Sequence, residues 1–176
     1  MSKPFSPGKG LVVIAIMTND KRLFAFALKE LEKEFGSCFL VSAWLDFSFS
    51  DYYENEMGKK LSKRFVCFKN PVNQDSLLNI KHKTYEIENK YLEENKRTIN
   101  LDPGILTPDN YVLSTFKNFP HRIYLGNSVF AEVEFSFTKN QIIFYDWTYS
   151  DYREKEVCDF FLTSRRYLLL FNSIKA

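Results

Sequence analysis

Leu11-Val12-Val13-Ile14-Ala15-Ile16-Met17 is the stretch on which the fold turns. A half-buried strand alternates apolar and polar residues, whereas this run leaves neither face to water. It therefore reads as a central strand covered on both sides. It is shorter than the ~18 residues that a membrane-spanning helix needs. Downstream, Thr18-Asn19-Asp20 offers a helix N-cap, Phe24, Leu28, Leu31 and Phe35 recur at helical spacing, and Gly36 closes the segment. Strands follow from about Cys38 to Phe47 and from about Ser62 to Phe68. The next helix runs from about Gln74 to Glu94, with Leu77, Ile80, Ile87 and Tyr91 on one stripe, and a short strand stands near Thr98–Leu101. This β-α-β-β-α-β order fits a ferredoxin-like split βαβ layer.

The second half has a different grammar. Asp102-Pro103-Gly104 reads as a turn, and Thr107-Pro108-Asp109 as the capped start of a short helix. A three-stranded antiparallel meander follows over 121–125, 129–137 and 141–147, with Gly126-Asn127 and Lys139-Asn140 as two-residue links. A final helix runs from about Tyr152 to Ile174. No linker, low-complexity run or long repeat interrupts the chain, so residues 1–176 read as a single α+β domain.

Composition narrows the function classes. Twenty-four Lys and Arg against 22 Asp and Glu leave a net charge of +2, too little for a nucleic-acid footprint. Cys38, Cys67 and Cys158 lack metal-ligand spacing and sit among apolar residues, which fits reduced thiols in a cytoplasmic protein and no metal site. The segment before Leu11 lacks the look of a transit peptide, which adds to the expectation of a cytoplasmic location without a membrane partner. Gly8-Lys9-Gly10 precedes its strand, whereas a phosphate-binding loop lies between a strand and the following helix. The oddity is aromatic content: 18 Phe, 10 Tyr and 2 Trp make 17% of the chain.

The meander converts sequence into geometry. With Gly126-Asn127 and Lys139-Asn140 as turns, His121, Glu132 and Trp147 form one cross-strand row, with side chains ~5 Å apart. A carboxylate beside an imidazole fixes its tautomer and makes an acid–base pair, here His121 with Glu132. The same row is also compatible with a surface His–Glu pair beside an exposed Trp. Arg122 and Asp146 fall on the apolar face and are expected to pair with each other. Arg97, Asp102 and Lys117 stand at element ends, where sites assemble, and Asp102 is also suited to ordering a turn. Lys59-Lys60-Leu61-Ser62-Lys63-Arg64 reads as a solvated basic loop or as a contact for an anion, and His82 as a water-facing helix residue. Asp51 and Asp151 occupy a repeated pattern, Ser-Asp-Tyr followed by Glu, that suits either two helix starts or two carboxylates lining a cleft.

The stretches Asp51 to Gly58, Arg97 to Gly104, His121 to Gly126 and Trp147 to Arg153 resemble, in matching order, the motifs of an uncharacterised prokaryotic family, domain of unknown function 4416. Family patterns often have Pro at the position of Ser150 and Tyr at that of Ile105. Some members carry the description "GTP-binding", for which this chain offers no P-loop or guanine motif. The resemblance implies a family and no activity; cofactors stay unknown.

Two functions are expected from the residues. One is binding or acting on a small anionic ligand, phosphorylated or nucleotide-like, with His121 and Glu132 as acid–base pair and Arg97, Asp102, Lys117, Arg122, Trp147 and Asp51 as ligand contacts. The other is a non-catalytic interaction module. In Tyr167-Leu168-Leu169-Leu170-Phe171 the helix is apolar around most of its circumference, so it is either sandwiched or meets a second copy as a homodimer.

Overall fold

The computed structural model describes residue 3 and residues 7–47, 54–58, 60–139 and 141–175. The opening run is strand β1 (Leu11–Thr18), and every residue in it is buried. β4 (Leu61–Phe68) pairs antiparallel on one side, from Val13↔Cys67 to Thr18↔Ser62. β7 (Ile99–Leu106) pairs antiparallel on the other, from Leu11↔Leu106 to Thr18↔Ile99.

Alternation then sends β1 into two cores. Val12, Ile14 and Ile16 meet Phe24, Ala27 and Leu31 of α1 (Lys21–Phe35) and Leu77, Ile80 and Ile87 of α2 (Leu77–Asn89). Leu11, Val13 and Ala15 meet Val157, Phe160, Phe161 and Leu168 of α3 (Lys155–Lys175). Helices thus cover both faces, as the doubly apolar run demands. α1 begins where the Asp20 side chain accepts the Arg22 N–H at 2.9 Å, a helix N-cap.

The remaining strands extend the sheet. β2 (Cys38–Val41) and β3 (Leu45–Phe47) pair with opposite ends of β4, so the single strand expected over 38–47 is interrupted at Ser42, whose N–H and hydroxyl bind the Phe65 backbone. A two-stranded hairpin, β5 (Leu92–Glu93) and β6 (Lys96–Arg97), replaces the end of the long helix expected to reach residue 94. Beyond β7 come β8 (Asn110–Thr115), β9 (Ile123–Gly126), β10 (Val129–Thr138) and β11 (Gln141–Phe144). The main sheet has nine described strands in the order β11-β10-β8-β7-β1-β4-β2, with β3 beside β4 and β9 beside β10.

Three expectations for the second half are corrected. Thr107 does not start a helix. Its hydroxyl accepts the N–H groups of Asp109 and Asn110, as a cap would, but inside a turn that joins β7 to β8. Asp102-Pro103-Gly104 is no turn either: all three lie within β7. Finally, β9 and β11 do not flank β10 on opposite sides. β8 pairs along Phe130–Ser136, which leaves β9 and β11 to share the other side.

Aromatic rings fill the α3 face. Phe65, Tyr111, Phe135, Tyr152 and Phe161 are all buried, with Phe135 and Phe161 edge to face at 4.8 Å and Phe65 and Tyr152 at 5.2 Å. Each such pair adds about 0.5–1.5 kcal/mol beyond burial. Gly104 makes room for this cluster, because a Cβ there would stand 2.5 Å from the Tyr111 ring. The three cysteines are free thiols, and burial pushes Cys67 up to about 12.

Candidate functional site

Pro103 decides where the site forms. The β7–β8 ladder consists of Gly104–Leu106 against Tyr111–Leu113 and stops at the proline, which has no N–H to continue it. The Ser114 hydroxyl, donating to the Pro103 carbonyl at 2.8 Å, stands in for the next ladder bond. Where the ladder stops, Asn100 and Asp102 of β7 and Leu113 to Lys117 on and after β8 line a cavity of about 630 Å³. Lys81, Tyr85, Glu88 and Asn89 of α2 close it from one face of the sheet. Met17, Phe47, Lys63 and the turn Tyr149–Tyr152 close it from the other.

An ionic chain runs through this cavity. Lys63, buried on β4, meets the buried Asp151 at 2.5 Å, while its ammonium lies 5.1 Å from the Tyr152 ring centre and 5.2 Å from that of Phe65. Lys81 donates to the Leu101 carbonyl at 3.2 Å and stands 3.5 Å from Asp102, over the Phe116 ring. Arg97 grips both carboxylate oxygens of Glu56 at 2.6 and 2.7 Å and donates to Asn100, whose amide in turn donates to Asp102 at 2.6 Å. Burial acts to raise the Asp102 carboxyl, but Lys81, Lys63 and the Asn100 amide outweigh it and hold it below the usual range. Arg97 likewise lowers Glu56.

Glu88 differs from these carboxylates. It is buried, accepts the Leu101 N–H at 2.5 Å, and makes no ion pair among the described residues. Burial raises it to about 7, against the pull of Lys81.

A second cluster stands beside the cavity. Glu132, 1% exposed at its side chain, receives Arg122 at 3.0 Å and His121 Nε2. The His121 ring stacks on Trp147 at 5.1 Å and 12°, and Trp147 stacks on Tyr145 at 4.9 Å. Arg122 also donates to the Lys117 carbonyl and the Tyr149 hydroxyl, each at 2.9 Å, and so ties the cluster to two residues of the cavity lining. Behind Tyr149 lies Glu134, fully buried, which accepts the Tyr149 N–H at 2.7 Å. Burial lifts it to about 8.

The candidate residues therefore fall into two groups. Arg97, Asp102 and Lys117 share the cavity, whereas His121, Glu132, Arg122 and Trp147 come together next to it and do not line it. Asp51 lies outside the described residues. Arg122 pairs with Glu132 instead of Asp146, which is exposed, and Lys63 is a buried strand residue instead of part of a solvated loop. His82 is half-buried, with Nε2 3.1 Å from the Asn127 carbonyl and its ring 5.5 Å from that of Phe116, so it does not simply face water.

Lys63 is expected only as one member of a basic cluster, and Lys81 and Glu88 are not expected at a site at all. Signals for them exist: Lys81, Thr84 and Glu88 recur at helical spacing along the edge of the apolar stripe, and Lys63 alternates in register with Phe65 and Cys67. Among the described residues no group of three or more His, Cys, Asp or Glu is placed to hold a metal ion. No described helix is long and apolar enough to cross a membrane.

The fold and site define a mixed α/β protein with a large antiparallel sheet and a charged, aromatic-walled cavity opened where two strands part. The chain belongs to the family of domain of unknown function DUF4416, whose model matches residues 8–167. No curated protein matches it.

Proposed function

We propose that this protein binds a small anionic molecule, phosphorylated or nucleotide-like, in the cavity between β7 and β8. The observation that carries the reading is the pair of buried lysines, Lys63 and Lys81, which line a space also lined by Phe47, Tyr85, Phe116 and Tyr149. Each lysine is paired with a carboxylate, Asp151 and Asp102 respectively, and the low-dielectric wall around the space strengthens the attraction of such groups for a ligand's charge. Arg97, Asp102 and Lys117 supply further contacts, with Arg122 and Trp147 supporting the rim. His121, oriented by Glu132, serves as acid–base group for any part of the ligand that reaches past Tyr149. The cytoplasmic setting inferred from the three free thiols accords with such a ligand.

The first half of the chain is, in this reading, a ferredoxin-like unit. The antiparallel order β7-β1-β4-β2, with α1 and α2 on one face, supports it. Thermal-shift screening of nucleotides and sugar phosphates tests the function. A binder raises the melting temperature of the wild type and does so far less for Lys81→Met. Absence of stabilisation by every anion in the panel overturns the reading.

One observation favours a second reading, self-association through α3. Leu168 is buried, whereas Leu170 and Ile174 are 65% and 85% exposed. Light scattering at increasing concentration separates the two: a dimer that Leu170→Glu dissolves supports the interaction module, and a monomer throughout removes it.

A further inference from the structure

We propose that Glu88 is the proton-exchanging residue of this cavity, which takes up a proton when an anionic group binds and releases it, above neutral pH, when that group leaves. This rests on the anion-binding reading above. Three of the four described carboxylates in the lining are committed to a cation: Asp151 to Lys63, Asp102 to Lys81 and Glu56 to Arg97. Glu88 receives a backbone N–H and, among the described residues, no cation. The charged groups facing it are Lys81 on its own helix, Asp102 on β7 and Arg97 at the end of β6. α1, on the other flank of α2, directs Glu30 to Lys90 instead.

Charge counting gives the direction of coupling. The described lining holds the cations Lys63, Lys81, Arg97 and Lys117 against Glu56, Glu88, Asp102 and Asp151. With Glu88 ionised the lining is neutral; with Glu88 protonated it carries one positive charge in excess. A ligand anion near Lys81 repels the Glu88 carboxylate and favours its neutral form, so binding and proton uptake assist each other. The raised Glu88 carboxyl, at about 7, places this exchange near neutral pH. A neutral Glu88 also gains an O–H that can donate to the bound anion. The ligand class follows: a small molecule with an anionic oxygen group that accepts both an ammonium and a carboxylic-acid hydrogen bond, as phosphoryl and sulfuryl groups do.

Calorimetric titration with inorganic sulfate and adenosine 5′-sulfate tests this, because neither probe changes charge between about pH 6 and about pH 8. One linked proton released near pH 7 predicts affinity about ten-fold tighter at the lower pH. Titrations in buffers of different ionisation enthalpy should show about one proton taken up per ligand near pH 8 and almost none near pH 6. Glu88→Gln should bind with the same affinity at both. The proton count is read on the wild type, so it stands even where the variant fails to fold. Equal wild-type affinities at both pH values, or pH dependence retained in Glu88→Gln, overturn the role of Glu88 while leaving anion binding in place. If neither probe binds at either pH, the anion-binding reading falls and this inference falls with it.

Discussion

Replacing Asp151 by Ala should be among the most damaging single changes near the cavity. Lys63 and Asp151 meet at 2.5 Å with side chains 9% and 3% exposed, so removing the carboxylate strands a buried ammonium. Breaking a buried pair in this way costs about 3–5 kcal/mol, a large share of the ~5–15 kcal/mol by which domains are stable. At ~2–4 °C per kcal/mol for a chain of this size, the melting temperature should fall by roughly 6–20 °C. The rings of Phe65 and Tyr152 beside the ammonium retain part of its stabilisation, which favours the lower end of that range. Urea unfolding followed by tryptophan fluorescence measures the cost. Lys63→Met combined with Asp151→Ala should recover most of it, since no charge then remains to be buried. A loss below about 1 kcal/mol, the value for an exposed pair, or a double variant no better than Asp151→Ala, would refute the reasoning.

Other consequences can be checked in parallel. Gly104→Ala should cost about 1–3 kcal/mol in urea unfolding, because the new methyl meets a Tyr111 ring held by Phe135 and Phe161. Glu132→Ala removes the shared acceptor of Arg122 and His121, so it should destabilise the protein by about 3–5 kcal/mol and alter the emission of Trp147, which stacks on His121. Glu134, raised from 4.5 to about 8 by burial, keeps its proton when folded and loses it when unfolded. Stability should therefore decline as pH rises from about 4.5 to about 8, and Glu134→Gln should flatten that decline in pH-dependent melting.

The sequence discloses this structure unevenly, for physical reasons. The run Leu11–Met17 settles its own place because neither of its faces tolerates water, and β1 is accordingly paired on both sides and covered on both faces. Thr107 misleads because a hydroxyl that binds the next N–H groups looks the same before a helix and inside a turn between strands. Pro103 misleads because its missing N–H suggests a turn, whereas in the fold it falls where one ladder ends. The His121–Glu132 contact is legible even though the hairpin register differs from the expected one. Gly126 pairs with Val129, with a bulge following, so Asn127-Ser128 is the link. A turn from Phe119 to Arg122 then carries His121 back to Glu132, with Arg122 beside it. The cavity itself is illegible in one dimension: it draws on α2, β4, β7, β8 and the turn before α3 at once.

The most direct test of the central claim is a ¹⁵N-resolved NMR titration of the wild type with nucleoside monophosphates and sugar phosphates. A cavity ligand should move the amides of Lys63, Lys81, Glu88, Asp102, Phe116 and Tyr149 together, saturably, and leave the end of α3 at Leu170–Ile174 undisturbed. Saturable shifts confined to surfaces away from these residues, or none from any anion in the set, would contradict the assignment of this cavity as the functional site.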